Sequence, residues 1–237
     1  MRVLRWSLQL HKWIALIVGV QVLFWVAGGL VMTAIPIEKV RGEHHAAERA
    51  PAALPASGLL SPQDAARAAG LTSLSQATLG STPRGPVWTL TAPGGEPVIV
   101  SARDGRPLPA LTETEAARLA AAAYRGDGKP VSTRLLPQAP AETGKSGPLW
   151  RVDFDDAENT AFYLSPQTGE VVSRRSELWR FYDLFWRLHV MDWQNGEDFN
   201  HPLIVLAAFL TLVITVTGFV LLWIRLARDW TVARTRG

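Results

Sequence analysis

The sequence predicts an α+β membrane protein in which two transmembrane helices flank a domain of duplicated helix plus antiparallel β-hairpin units. Three observations lead to this fold class. Long uncharged hydrophobic runs occur at 13–35 and 203–224, basic residues are in surplus only beside those runs, and one helix-and-strand pattern occurs twice between them. The length of 237 residues permits one or two domains.

The charge distribution indicates a membrane protein and excludes a nucleic-acid-binding one. The net charge is +3, but residues 36–176 contain 15 Lys and Arg against 15 Asp and Glu. The basic surplus is therefore confined to two tails, 1–12 and 225–237, which is the pattern of cytoplasmic flanks rather than of a phosphate-binding face. The absence of cysteine excludes disulfides, thiolate metal sites and Cys-attached haem.

Both hydrophobic runs are long enough to span a bilayer. At 1.5 Å per residue each covers roughly 33 Å, against a hydrocarbon core of about 30 Å. Buried helices of a soluble protein are the alternative for both runs, and a cleaved signal peptide is the alternative for the first. We interpret the runs as uncleaved spans, with tryptophans at the interfaces. With cytoplasmic tails, the central domain is expected in the periplasm and the spans in the bacterial inner membrane.

The central domain, 58–176, follows a linker at 36–57 and contains two similar units, about 58–108 and 110–176. Ser61 and Thr112 are predicted to cap short helices, and each cap has an acidic residue three positions later and an Ala-Ala-Arg sequence inside the helix. Strands are predicted around Trp88 and at 98–100 in the first unit, and around Trp150 and at 160–164 in the second. Turns at 104–106 and 168–170 close the corresponding hairpins.

We find no catalytic constellation in this domain. It has no histidine between His45 and His189, and it lacks hydrolase, zinc-protease and phosphate-loop motifs. Four acidic residues cluster near one hairpin, and they favour a solvated turn over a cation site. They are Asp153, Asp155, Asp156 and Glu158.

An aromatic segment, 177–202, precedes the second span. Its aromatic residues recur at three- and four-residue steps, which predicts an amphipathic helix at the membrane surface followed by a polar turn. Such a helix acts as an interfacial anchor, but His189 near its end is also a candidate ligand.

Histidines near the membrane boundaries are the candidate cofactor ligands. His11 lies at one end of the first span, whereas His189 and His201 lie at the opposite side, with His44 and His45 also on that side. Because His11 is a bilayer away from His201, these two cannot hold one haem. His189 could pair with His201, and His11 could pair with the His11 of a second chain.

Polar and small residues form a stripe along each predicted span. On the first span, Gln21 is costly in lipid and is therefore a candidate site residue. The alternative for both stripes is helix packing alone. The faces are His11, Ile14, Val18, Gln21, Trp25, Gly28 and Met32 on the first span, and His201, Ala208, Thr211, Thr215 and Gly218 on the second.

The chain resembles the PepSY-associated transmembrane family over nearly its whole length. The motif at 10–13 followed by Gly19 looks like the family's first span. The Leu-His pair ending at His189, then Thr217-Gly218, Trp223 and Arg225, looks like its later span. The duplicated central units are similar to PepSY domains. The resemblance predicts a short, two-span member with a periplasmic PepSY-like domain.

The resemblance implies a role in iron uptake. Family members include haem-bearing reductases of ferric siderophores, so His11 and His189 would ligate haem b iron, with His201 and Gln21 as further cofactor-binding candidates and no catalytic residue. Typical reductase members have four or more spans, so this chain would need a homodimer or a partner membrane subunit. Two alternatives remain. One is a non-enzymatic, membrane-anchored module that binds or restrains a periplasmic protein such as a peptidase, and the other is a transporter subunit or assembly factor.

Overall fold

The computed structural model describes the backbone of residues 2–47, 53–193, 198 and 200–236, and it divides the chain into two compact units. Side chains at 2–8, 10, 11, 221, 229 and 231–236 lie outside the description. The span unit comprises Met1–Pro36 and Phe181–Gly237, and the sheet unit comprises Ile37–Arg180.

Two long helices, α1 (Arg2–Ala34) and α6 (Pro202–Arg236), form most of the span unit. Within them, Lys12–Ala34 and Pro202–Arg228 are apolar and long enough to cross a membrane. Large apolar side chains on both helices are exposed, including Ile17 at 69% and Phe219 at 68%. A soluble protein would bury such residues, so these surfaces favour contact with lipid and disfavour the buried-helix alternative.

The sheet unit begins with α2 (Ile37–Val40) and a 3₁₀ turn at Glu43–His45. Helix α3 (Pro62–Ala68) then packs on an antiparallel sheet of order β1-β2-β3. Its strands are β1 (Gln76–Thr82), β2 (Gly85–Thr91) and β3 (Val98–Ser101). Leu90 and Val100 are fully buried in the core of this layer.

Helix α4 (Glu113–Ala123) packs on a second antiparallel sheet of order β4-β5-β6-β7. The strands are β4 (Pro130–Leu136), β5 (Leu149–Phe154), β6 (Ala161–Leu164) and β7 (Val171–Arg175). Every residue of β6 is buried, and Phe162 contributes to the core beneath α4. Helix α5 (Glu177–Val190) follows β7 and includes residues of both units.

The predicted helix caps are confirmed, with one difference in detail. Thr112 and Glu115 form a full capping box, in which Glu115 Oε2 accepts the Thr112 backbone N–H at 2.8 Å. At the first helix, Ser61 Oγ accepts from the Asp64 backbone N–H, but the Asp64 carboxylate accepts from the Ser61 hydroxyl at 2.7 Å instead of from its backbone. Aspartate is one methylene shorter than glutamate, and this explains the local bond.

The predicted strands are also present, and most of the predicted small-residue face of α6 is exposed within this one chain. The sequence did not single out β1 and β4, which are polar or begin with proline. On α6, Ala208, Thr215 and Gly218 are exposed, whereas the half-buried face comprises Ile204, Ala207, Leu210, Thr211 and Ile214. The hydroxyls at 211 and 215 bond to carbonyls one turn earlier in their own helix, so they need no partner helix.

Candidate functional site

Three side chains of the span unit converge on the C-terminal end of α5. The last carbonyls of an α-helix have no partner within the helix, and in lipid they have no water either. Gln21 Nε2 donates to the Leu188 carbonyl at 3.2 Å, and Trp25 Nε1 donates to the His189 carbonyl at 2.7 Å. His201 Nε2 lies 3.1 Å from the carbonyl of the next residue, Val190. These contacts fix the end of α5 against α1 and the start of α6.

The arrangement places the predicted face of α1 toward α5. Val18 and Gly28 are buried, and Gln21 and Trp25 are partly buried, whereas Val20, Leu23, Phe24 and Val26 are exposed. Gly28 allows close approach, because a Cβ there would lie 3.4 Å from the Phe185 carbonyl oxygen. This α1 face is therefore used for packing and for hydrogen bonding at the same time.

His189 differs from its polar neighbours because its ring has no hydrogen-bond partner among the described residues. Its Nδ1 is enclosed, and a Cβ on Gly28 would lie 3.6 Å from that atom. The Trp25 ring lies beside it, with centroids 6.3 Å apart. An enclosed ring nitrogen without a partner costs free energy and calls for a functional or structural explanation.

The other predicted ligands differ in what they can offer. A carbonyl only accepts hydrogen bonds, so His201 must carry its proton on Nε2 to bond to Val190, and Nδ1 is then the nitrogen left for a ligand. Gln21 already uses its amide nitrogen on Leu188. His11 lies within α1, but its side chain lies outside the described residues. The structure thus brings Gln21, His189 and His201 to one end of α5.

These residues fit a haem in part. Haem iron takes an imidazole nitrogen as its axial ligand, and His189 is the imidazole of the described span unit whose ring is not engaged in hydrogen bonds. An open apolar groove of about 490 Å³ between α1 and α6 borders Gln21 and Met191, and an apolar macrocycle requires such a lining. His189 is not among the residues that line this groove.

The sheet unit contains a cluster that sequence reasoning did not assemble. His44 and His45 lie beside Glu158, and one nitrogen or oxygen atom from each lies within 4.8 Å of the others. The adjacent histidines were visible in the sequence, but Glu158 is more than 100 residues away and was interpreted as part of a solvated turn. Its acidic neighbours have protein partners: Asp153 pairs with Arg151 at 2.7 Å, and Asp156 accepts from the Tyr124 hydroxyl at 2.6 Å.

Comparison with known protein families gives a match over nearly the whole chain. A family model described as the PepSY-associated TM region matches residues 8–237 of this chain. The comparison found no matching curated protein and no matching solved structure. The match covers both apolar helices and the entire sheet unit.

Proposed function

This chain belongs to the PepSY-associated TM family, and from that premise we propose that it is a haem b-binding membrane protein that passes electrons across the membrane. The proposed acceptor is the Fe(III) of a ferric siderophore in the periplasm, and the proposed role is iron uptake. One electron, passed through the haem from a cytoplasmic donor or a membrane quinol, would convert the bound Fe(III) to Fe(II), which siderophores hold more weakly. The proposed site is the end of α5 in the span unit.

The observation that carries the proposal is the unpartnered ring of His189. Gln21, Trp25 and His201 each contact a carbonyl at the end of α5, whereas the His189 ring has no such contact and is the first candidate ligand. Haem supplies one-electron redox chemistry when bound, and an imidazole ligand fixes the position of its iron.

The surrounding residues have a positioning role in this proposal. Gln21, Trp25 and His201 hold three consecutive carbonyls, which restricts movement of the helix end that carries His189. The lipid-facing surfaces of α1 and α6 exclude water from the site. We propose that the second ligand is His201 Nδ1 or a histidine of another chain, in a homodimer or a partner membrane subunit. We propose a similar interchain role for His11 at the other end of the span.

We also propose that the sheet unit is a periplasmic PepSY-like domain of two duplicated units. Each of the two duplicated halves has a capped helix on an antiparallel sheet. Each also has a glycine in the left-handed backbone conformation that packs on that helix. A Cβ on Gly105 would overlap Ala68 of α3, and one on Gly169 would lie 2.5 Å from Leu119 of α4. The same turn-to-helix contact in both units supports duplication.

Absorption spectroscopy tests the proposed cofactor through matched variants. The wild type, His189→Ala and His44→Ala would be purified in mild detergent from cells supplied with a haem precursor. We expect a reduced-minus-oxidised b-type spectrum in the wild type and in His44→Ala, because His44 belongs to the sheet unit. We expect haem per chain to be at least about tenfold lower in His189→Ala than in the wild type, since an axial ligand is removed. Full haem retention in His189→Ala would contradict the ligand assignment.

The second candidate function is a membrane-anchored module that binds a periplasmic protein. An open groove of about 740 Å³ in the sheet unit favours it, because the groove borders Phe162, Val171 and Arg174 along the edge strand β7. An exposed strand edge can pair with an extended peptide. A haem-free wild type that crosslinks to one periplasmic protein through a photoreactive residue at Val172 would support this function over electron transfer.

A further inference from the structure

We infer that His44, His45 and Glu158 form a binding site for a divalent transition-metal cation of the Zn²⁺ type. All three residues belong to the sheet unit, and the proposed haem ligands of the α5 end belong to the span unit. The inference is independent of the proposed electron transfer, because neither site contributes a residue to the other.

The distances within the cluster match the edges of a metal coordination polyhedron. His44 Nε2 lies 3.5 Å from Glu158 Oε1, and His45 Nε2 lies 3.3 Å from Glu158 Oε2. Zn²⁺ binds imidazole nitrogen and carboxylate oxygen at about 2.0–2.2 Å in a tetrahedral arrangement, so two ligand atoms are about 3.3–3.5 Å apart. The two His–Glu distances therefore fall in the range of such an edge, each to a different oxygen of Glu158, and one donor atom from each of the three residues lies within 4.8 Å of the others.

Two of these atoms are enclosed without a hydrogen-bond partner. His45 Nε2 and Glu158 Oε2 lie 3.3 Å apart, which is an ion pair when His45 is protonated; with His45 neutral, neither atom has a hydrogen-bond partner. The His45 side chain is only 12% exposed, so water does not readily replace the missing partner. A shared cation would satisfy both atoms, and this explains why an enclosed imidazole and an enclosed carboxylate are held together.

Backbone contacts fix the histidine pair in place. The 3₁₀ turn places the two imidazole rings 3.9 Å apart. The Arg125 N–H donates to the His45 carbonyl at 2.9 Å, and the Ala47 N–H donates to the Ala123 carbonyl at 2.7 Å. The Tyr124 ring stacks on the His45 ring with an interplanar angle of 12°. Metal binding therefore needs little rearrangement on this side.

The carboxylate is fixed by a separate set of contacts. The Glu158 backbone N–H donates to Asp156 Oδ1 at 3.2 Å, and its carbonyl accepts from the Glu177 N–H at 2.8 Å. The Tyr124 hydroxyl donates to the same Asp156 carboxylate, so one residue supports both the His45 ring and the Glu158 loop. Such outer contacts orient metal ligands in known sites.

The donor set selects the class of cation. Two imidazoles and one carboxylate suit Zn²⁺ and neighbouring divalent transition metals, whereas Ca²⁺ and Mg²⁺ prefer six or more oxygen ligands. Three protein ligands leave at least one coordination position for water or another molecule. The His44 side chain is 35% exposed, so that position is accessible from solvent.

Calorimetry with Zn²⁺ tests the site on the full chain in detergent, purified without a histidine tag and stripped with a chelator. We expect one Zn²⁺ per chain in the wild type. Glu158→Gln and His44→Ala should each weaken binding by at least about tenfold, because each removes a ligand. Glu158→Gln keeps the side-chain shape and His44 is exposed, so both variants should fold. Co²⁺ should give the visible absorption of a tetrahedral complex in the wild type and not in these two variants.

Two controls make the result decisive. Glu96→Gln removes an exposed acid of the same unit, and His189→Ala removes a histidine of the other unit; both should bind Zn²⁺ as the wild type does. Absence of Zn²⁺ binding in the wild type would overturn the inference. Wild-type affinity in both Glu158→Gln and His44→Ala, or loss of binding in His189→Ala, would also overturn it. None of these outcomes depends on whether haem is bound.

Discussion

At the residue scale, the close approach of Gly28 to α5 gives a graded test of the span unit. A Cβ at this position would meet the Phe185 carbonyl oxygen at 3.4 Å and His189 Nδ1 at 3.6 Å, which are contacts that a methyl group can make. A leucine side chain would extend into α5 and displace His189. We therefore expect Gly28→Ala to retain haem and Gly28→Leu to lose most of it, measured as haem per chain. Equal haem content in both variants would contradict the packing described here.

Asp156 gives a residue-scale prediction for pH. Burial raises the pKa of its carboxyl group, but hydrogen bonds from Thr160 and Tyr124 outweigh burial, so the pKa is lowered from 3.8. A lowered pKa in the folded state means that the charged form stabilises the fold above pH 3.8, and that this contribution is lost as the pH falls through the folded-state pKa.

The variant Asp156→Asn isolates this contribution. At pH 6 we expect it to lower the free energy of unfolding of the sheet unit, by about 1–2 kcal/mol. The difference between wild type and variant should begin to shrink as the pH falls below 3.8 and be smallest once the pH is below the lowered folded-state pKa. Chemical denaturation at a series of pH values measures it, and a difference that grows toward acid would contradict the assignment.

At the scale of elements, the capping box should stabilise α4 measurably. Thr112→Ala removes the hydroxyl that accepts the Glu115 backbone N–H and should cost about 1 kcal/mol. Thr114→Ala is the matched control, because Thr114 is exposed in the first turn and alanine has the higher helix propensity. Thermal denaturation compares the two variants. A loss in Thr114→Ala equal to that in Thr112→Ala would show that the cap has no special role.

Replacing the turn glycine before β7 with alanine should destabilise the sheet unit more than replacing a glycine that has the same backbone geometry elsewhere. Gly169 and Gly147 both have positive φ, at 71° and 78°. A Cβ at Gly169 would lie 2.5 Å from Leu119, whereas one at Gly147 would meet nothing within 4 Å. Both alanine variants carry the backbone strain, so the extra loss in Gly169→Ala, about 1–2 kcal/mol, reports the contact with α4. Equal losses of unfolding free energy in the two variants, measured by denaturant titration, would show that the contact with α4 does not contribute.

Helices and strands could be predicted from the sequence where interactions between residues close in the chain determine them. The caps at Ser61 and Thr112 depend on hydrogen bonds to a residue three positions later in the chain. The helices were predicted from these caps and from the spacing of apolar residues. Strand β4 was not predicted, because it begins with Pro130 and has no clear alternation of polar and apolar residues. Such a sequence is compatible with a strand at the edge of a sheet, but the pairing with β5 is needed to identify it. The cluster of His44, His45 and Glu158 depends on a contact between distant parts of the chain, which no local pattern encodes.

At the scale of the whole molecule, the proposed topology is open to direct test because the chain lacks cysteine. Gln9→Cys places one thiol near the amino terminus, and Ser146→Cys places one on the exposed surface of the sheet unit. In cells with a permeabilised outer membrane, an impermeant maleimide should label Ser146→Cys at once. It should label Gln9→Cys only after the inner membrane is disrupted. Labelling in the reverse order would contradict a periplasmic sheet unit.

For the whole molecule, the central proposal is that this two-span protein binds haem b in an assembly of two or more chains. The most direct measurement is a reduced-minus-oxidised absorption spectrum of the wild type in mild detergent, with a pyridine haemochrome assay and the mass of the detergent-solubilised assembly. The account predicts a b-type spectrum and at least one haem per two chains. A haem-free protein, purified from cells supplied with a haem precursor, would contradict it.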